Sequence, residues 1–421
     1  MRILEWVKAF SRNEGGNALV IAAATLPLVI GAAAISVDTV QVSLARRQLQ
    51  RSADSSALAG AYALVQQRPV ATSVNHDLAL NNDVPLSASP IIQNAPTTGP
   101  YAGNIRAVRV ALSAQRPVPF ISVFSAATMN VTVEATAAIV YAGQFCVVSL
   151  ETGNTTGITF AGNTTANLGC GVISNSRSAN AVSAGGSAIV VASPVAAVGG
   201  VPPSGAYVGT TNLLPYSPPQ PDPYASLPEP TVPANCQNEY KVQPNQDAPT
   251  PTPSSPGVYC FRGMDFKGTV TLPAGVYIID GGSLTFGSQA QVTGNGVTFV
   301  LTSRTATSDP SSIAELSMHG GAQVNLTAPA TGTYAGVLMY QDRRAPMGSS
   351  QVNGNSSSSF QGGFYFPSQQ LTFNGTTGMQ TQCLQMVARR ISFSGNSHIQ
   401  NTCPANGGAQ AFDATLVRLV G

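Results

Sequence analysis

The stretch LTFNGTTGMQTQCLQMVARRISFSG, residues 371–395, holds two copies of one short pattern, LTFNG and ISFSG, that start 20 residues apart. An apolar residue, Ser or Thr, a second apolar residue, any residue, then Gly or Ser describes a strand with one buried face that ends in a turn. The pattern returns as ITFAG at 158, LTFGS at 284 and LSMHG at 316, with looser copies MDFKG at 264 and AVSAG at 181. The starts at 264 and 284 are again 20 apart, and those at 158 and 181 are 23 apart. Self-similarity at this period predicts a mainly-β parallel β-solenoid (β-helix), with one coil per repeat. The longer gaps, 181–264 and 316–371, read as insertions looping out of the coil.

The cysteines follow the same period. Cys383 and Cys403 each lie 12 residues after a repeat start, while Cys146 and Cys170, like Cys236 and Cys260, are 24 apart. Equivalent residues of stacked coils sit about 4.8 Å apart, inside the Cα–Cα range of roughly 4.4–6.8 Å that a disulfide accepts. Three disulfides are therefore expected: Cys383–Cys403, Cys146–Cys170 and Cys236–Cys260. They need an oxidising compartment. None of the six cysteines stands in a CxxC pair, and His76, His319 and His398 are far apart, which speaks against a metal site.

Composition points the same way. Only 9% of the 421 residues are charged, against a usual value of about 25%, and the chain carries 41 Gly and 30 Pro. A net charge of +2 offers no electrostatic footprint for nucleic acid. Sixteen of the prolines fall between Pro194 and Pro256, a density that favours extended chain and excludes a packed core. This segment reads either as a bare linker or as a long excursion lying over the solenoid.

Parallel β-helices also host glycan-cleaving enzymes, which need clustered acids or bases on one face. The candidates are Asp265, Asp280, Asp342, Arg343, Arg344, Arg389 and Arg390, but the carboxylates do not recur in phase. Asp280 before Gly281-Gly282 reads as a turn residue, Arg343-Arg344 as a loop, and Arg389 and Arg390 as pointing to opposite faces of a strand. Phe364, Tyr365 and Phe366 fit either an adhesive aromatic surface or core packing. No catalytic, cofactor-binding or metal residue is expected; glycan binding or cleavage stays the alternative.

At the other end of the chain, GNALVIAAATLPLVIGAAAISVD (residues 16–38) contains 20 uncharged residues, 18–37. That is the length of helix that crosses a hydrocarbon core of about 30 Å. Pro27 is tolerated inside a membrane helix. A cleaved signal peptide is the rival, because Ala32 and Ala34 supply an A-x-A-like site. Residues 38–64 argue for retention: they contain no Pro and no Gly before Gly60. Val37, Val40, Leu44, Leu49, Ala53, Ala57 and Leu64 form a loose helical stripe, with Arg47, Arg51 and Asp54 spaced to pair on the other side. Arg2, Lys8 and Arg12 before the span balance Arg46, Arg47 and Arg51 after it, so cysteine usage decides that the N-terminus lies inside. Residues 105–112 and 129–141 read as strands of a small helix-on-sheet unit.

The run from Asn13 to Ala61, with Gly16-Asn17 opening the span, Pro27 inside it, Asp38 closing it and Arg47 through Gly60 beyond, resembles the N-terminal domain of the Tad/Flp pilus-assembly TadE/TadG-like family. The segments NGVTFVL, LTAPATGTYAGVLMYQD and GGFYFPSQQLTFNG resemble the β-helical C-terminal part of TadG-related proteins. Two features depart from the pattern. No Glu occurs between Glu14 and Glu134, where pilin-type processing sites place one, and the Asp-x-Ser-x-Ser motif of metal-binding von Willebrand-type domains is absent.

The resemblance implies a non-catalytic scaffold or minor structural subunit of Tad/Flp pilus assembly. Its expected partners are the inner membrane and pilus or secretion components, with an envelope glycan in the alternative. It would be a single-pass protein of the bacterial inner membrane, with its N-terminus cytoplasmic and its C-terminal region periplasmic. The expected order is a cytoplasmic tail (1–16), a transmembrane and amphipathic helix (17–66) and a small pilin-like α+β unit (67–142). First solenoid coils (143–193), a Pro-rich insertion (194–257) and the remaining solenoid (258–421) follow.

Overall fold

The computed structural model describes residues 17–120, 128–209, 211–245, 248–355, 357–375, 380–395, 398–401 and 412–421. The chain forms two compact units: residues 1–140 with 417–421, and residues 141–416.

In the first unit, helix α1 (Asn17–Val65) runs unbroken for 49 residues. Its first half is bare, with Leu26, Leu28, Val29, Ile30 and Ile35 all exposed, and it is long and apolar enough to cross a membrane. Polar side chains there are absorbed by the helix itself: the hydroxyls of Thr25, Ser36 and Thr39 each donate to the carbonyl four residues back. The second half buries Ala45, Leu49, Ala53, Ala57 and Ala61, a stripe at steps of four.

This stripe packs on an antiparallel hairpin of β2 (Ala107–Pro117) and β3 (Thr128–Ser149), with β1 (Ile91–Asn94) beside β2. Helix α2 (Val70–Asn81) contributes Val74 and Leu78 to the same core. Small residues in the stripe let the backbones approach closely. A Cβ on Gly60 would stand 2.8 Å from Val108 Cγ1 and 2.9 Å from Val74 Cγ2.

The expected stripe needs correction at three places. Val37, Val40 and Leu44 are exposed, and Asp38 and Ala45 are buried instead. Residues 417–421, expected within the C-terminal solenoid, also belong here: Val417 joins the core, and Thr136 and Val420–Gly421 exchange backbone hydrogen bonds.

The second unit is built from parallel strands arranged in three ladders; the regular passes lend one strand to each, while Val195–Ala197, Leu213–Leu214 and Tyr240–Val242 each join a single ladder. The second ladder carries the sequence repeat. Met264, Leu284 and Leu316 stand in one register, and Leu371, Ile391, Ile158 and Val182 in another that continues it through Ser350. The looser copy at 181 is thus one residue out, since Val182 rather than Ala181 pairs with Ile158. The gap 316–371 holds a regular strand, Ser349–Gly354, where only an insertion was expected. Inward residues stack in apolar columns, among them Phe266, Phe286, Met318, Val352, Phe373, Phe393 and Phe160.

Strand order departs from chain order. Residues 158–160 pair on one side with the next pass, 182–184, and on the other with Ile391–Phe393 from the last pass. Phe160 and Phe393, 233 residues apart in sequence, stack face to face with centroids 4.8 Å apart. The passes after residue 240 therefore precede, in space, the passes from 145 to 214. The chain enters mid-stack, builds to one end, returns to the opposite end through the Pro-rich segment, and builds back to its starting point. The Pro-rich segment, expected as an insertion without a packed core, also holds ladder strands: Val195–Ala197, Leu213–Leu214 and Tyr240–Val242.

Candidate functional site

The Pro-rich return lies over the outer face of the first ladder. That ladder, which includes Val258–Phe261, Gly275–Asp280, Val297–Thr302 and Val337–Gln341, is apolar on both faces. One set of side chains fills the interior. The other set (Phe145, Val148, Ile173, Cys260, Ile278, Val300, Tyr340, Tyr365 and Val387) packs beneath Tyr224, Leu227, Val232 and Cys236 of the return segment. Proline suits such a strap because it brings no N–H that burial would leave unsatisfied.

The strap's carbonyls still need donors, and Arg343 supplies them. Its Nη1 donates to the Leu227 carbonyl at 2.9 Å, its Nη2 to the Tyr224 carbonyl, and its Nε to the Tyr365 hydroxyl at 2.8 Å. Tyr365 in turn donates to Asp222 Oδ2 at 2.7 Å, and Tyr224 donates to Gln385 Oε1 at 2.8 Å. Burial, with the Asp222 charge adding to it, pushes the Tyr224 hydroxyl pKa well above its ordinary value. Burial likewise raises Tyr365, helped by its hydrogen bond to Asp222, and pushes Tyr340 up to about 12.

Asn175 exchanges two 2.8 Å hydrogen bonds with the Gln220 backbone near one end of the strap. The Cys236–Cys260 disulfide, with Cα atoms 4.6 Å apart, ties the other end. Cys146 and Cys170 are likewise bonded, with Cα atoms 5.9 Å apart. The expected Cys383–Cys403 pair lies outside the described residues, because the Cys383 side chain and residue 403 are not described.

The remaining candidates for chemistry are dispersed into local ion pairs. Asp265 meets Lys267 at 2.8 Å. Asp280, read as a turn residue, is buried and accepts from the Arg304 backbone N–H at 2.8 Å and from its Nε at 2.6 Å. Asp342 is buried and accepts from Arg344 Nη2 and from Thr302 Oγ1, each at 2.7 Å. Burial works to raise its pKa, but these bonds and the Arg344 backbone N–H outweigh it and hold the carboxyl below its usual value. Arg389 and Arg390 were expected on opposite faces; both instead reach Glu151, at 3.0 and 3.9 Å, and they sit where the strand passes from one ladder (Ala388 beside Ser149) to the next (Ile391 beside Ile158).

His76 and His319 are exposed, and the His398 side chain is not described. Among the described residues no group of His, Cys, Asp and Glu could hold a metal ion. Phe364 and Phe366 point into the interior core and Tyr365 lies under the strap, so this aromatic run is buried throughout.

At the anchor, Asp38 is 1% exposed and accepts the Phe120 backbone N–H at 3.3 Å, joining the end of the apolar span to the segment that follows β2. Asn17 opens α1, and Pro27 lies within it without breaking it. Gly16 and the Asn17 side chain are outside the described residues. Asp54 accepts from Gln50 Nε2 at 2.8 Å, while Arg47 and Arg51 stay exposed rather than pairing with it. Sequence reasoning missed Arg343's hold on the strap; the signal was its place one residue after VLMYQD, a strand apolar on both faces.

Residues 16–63 match the model of the putative Flp pilus-assembly TadE/G-like family. The match spans almost the whole of α1 and ends there. No curated protein matches the chain. No solved structure matches it either.

Proposed function

We propose that this chain is a non-catalytic component of Tad/Flp-type pilus assembly, anchored in the bacterial inner membrane by α1 and carrying a periplasmic β-solenoid. The observation that carries the proposal is the family match over residues 16–63 on a helix whose first half is apolar and bare. The three parallel ladders, advancing one strand per pass, support winding as solenoid coils. The two disulfides support placing the second unit in an oxidising compartment, with the N-terminus in the cytoplasm. A scaffold or minor structural role, rather than catalysis, is supported by the candidate carboxylates: Asp265, Asp280 and Asp342 are each taken up by a neighbouring cation.

Co-purification after mild membrane solubilisation tests the assignment. Recovery of pilus secretion components with the full chain is the expected result. Release as a soluble species lacking residues 1–38 sinks it.

A further inference from the structure

Phe120, three residues beyond β2, meets α1 at the level where its apolar span stops. Residues 18–37 account for a hydrocarbon core of about 30 Å, and the interfacial layer adds roughly 5–7 Å on each side. Asp38 is the first residue past that span, yet it is 1% exposed, its carboxylate held by the Phe120 N–H. This bond fixes the height of Phe120 at the membrane edge. The segment leading to it, Pro117-Val118-Pro119-Phe120, carries no charge, and its two prolines bring no N–H that would need water.

Phe120 itself is 44% exposed, and Val40, two residues past Asp38 on the helix, is 57% exposed. In water these apolar side chains would be stranded; in the interfacial layer they continue the bare sleeve of α1. Trp and Tyr concentrate in that layer, and the uncharged Phe ring shares their apolar body.

We propose that Phe120, three residues beyond β2, seats in the interfacial layer of the bilayer beside α1. The partner is the phospholipid surface itself. The first unit would then stand on the membrane at a fixed height rather than swing from a free helix. The inference rests on the reading of α1 as a membrane anchor, and its test separates the two.

The full chain, with Trp6 replaced by Phe, is reconstituted in phospholipid nanodiscs bearing one new tryptophan at a time. Phe120→Trp probes the proposed contact, Ile30→Trp the span, and Ile105→Trp, 75% exposed near the opposite end of the hairpin, the aqueous end. Phe120→Trp should show blue-shifted emission and lose most of it to lipids brominated near the headgroup, while Ile105→Trp is quenched only by aqueous iodide. If Phe120→Trp behaves as Ile105→Trp does while Ile30→Trp is lipid-quenched, the anchor stands and the proposal is overturned. Lipid quenching of all three overturns it too, since the unit would then lie flat. An Ile30→Trp that lipids do not quench removes the anchor reading and the proposal with it.

Discussion

The three ladders of the second unit share a backbone arrangement but differ in what their outer faces meet. The first turns Val148, Ile173, Ile278, Val300, Tyr340, Tyr365 and Val387 outward, and all are buried in a cluster that Tyr224, Leu227, Val232 and Cys236 of the strap help to close. The second turns outward Asp265, Thr285, Ser317, Gln351, Thr372, Ser392, Thr159 and Ser183, which pair along one row. The third presents Thr271, Thr293, Asn325 and Ser359 in the same way. Parallel ladders therefore do not by themselves dictate apolar strands; a covered face does. The strap converts one side of the unit into a second hydrophobic core with Arg343 as its polar anchor.

The sharpest way to break this contrast is Tyr365→Ala. Removing a fully buried aromatic ring costs about 3–5 kcal/mol, and the loss here also leaves Asp222 and Arg343 without a shared partner. The urea midpoint of the purified chain should fall accordingly, with the strap cut by chymotrypsin under conditions where wild type resists. An unchanged midpoint would mean that the strap does not contribute to the fold.

The disulfides sharpen the comparison next. Both close loops with a sequence separation of 24, so replacing either pair with serines should cost on the order of 3 kcal/mol. Only the Cys236→Ser/Cys260→Ser variant should expose the strap to protease, because Cys146–Cys170 joins neighbouring passes away from it. Equal protease sensitivity in the two variants would contradict the anchoring role.

Gly60→Ala moves the question to the first unit. Its new methyl meets Val108 and Val74 at under 3 Å, and overpacking of this kind costs about 1–3 kcal/mol. Thermal unfolding of the full chain should show an early transition assignable to the helix–hairpin unit, with the ladder unit unaffected. A single unshifted transition would show that α1 does not need this close approach.

How much of this was legible depended on solvent. The second ladder could be read because its outer face is polar, so the starts at 158, 264, 284, 316, 371 and 391 stood out, and all occupy the same ladder position. The pass at Ser349–Gly354 escaped because Ser350 occupies the inward position and is buried, its hydroxyl donating to Gln369 Oε1 at 3.0 Å. A polar pair inside the wall defeats a hydropathy pattern. The first ladder shows no alternation, since both faces are dry, and so does not differ from any buried strand. The pairing of Phe393 with Phe160 depends on which end surfaces match, which no local pattern encodes. In the anchor, Val37, Val40 and Leu44 are apolar for a reason other than core packing, and periodicity alone cannot distinguish the two.

Acid should act on the covered side more than on the bare one. The Asp342 carboxyl has its pKa held below the ordinary carboxylate value in the fold, so it binds protons less readily there than in the unfolded chain. Its stabilising contribution is thus present above the ordinary value and is lost as pH falls through the lowered one. Asp342→Asn removes that proton linkage. The variant should be less stable than wild type at neutral pH, and the gap should narrow between about pH 5 and pH 2 in urea titrations. A gap that stays constant across this range would show that the ionised carboxylate is not what Arg344 and Thr302 stabilise.

The smallest effect belongs to the bare face. Thr271 and Thr293 stand side by side on the third ladder with hydroxyls 3.0 Å apart, both exposed. Thr293→Ala removes that hydrogen bond, but water replaces it at once, so the urea midpoint should move by no more than roughly 0.5 kcal/mol equivalent. The same holds for the neighbouring Asn325–Ser359 contact at 2.9 Å. The measurement is best made on the isolated chain and again with whatever partner the co-purification recovers. A large loss in the isolated chain would mean that this row already carries structural weight like the strapped face, and the difference between covered and bare ladders would disappear. A loss that emerges only in the bound state would instead show that the polar row, idle in the free protein, is where a partner lies.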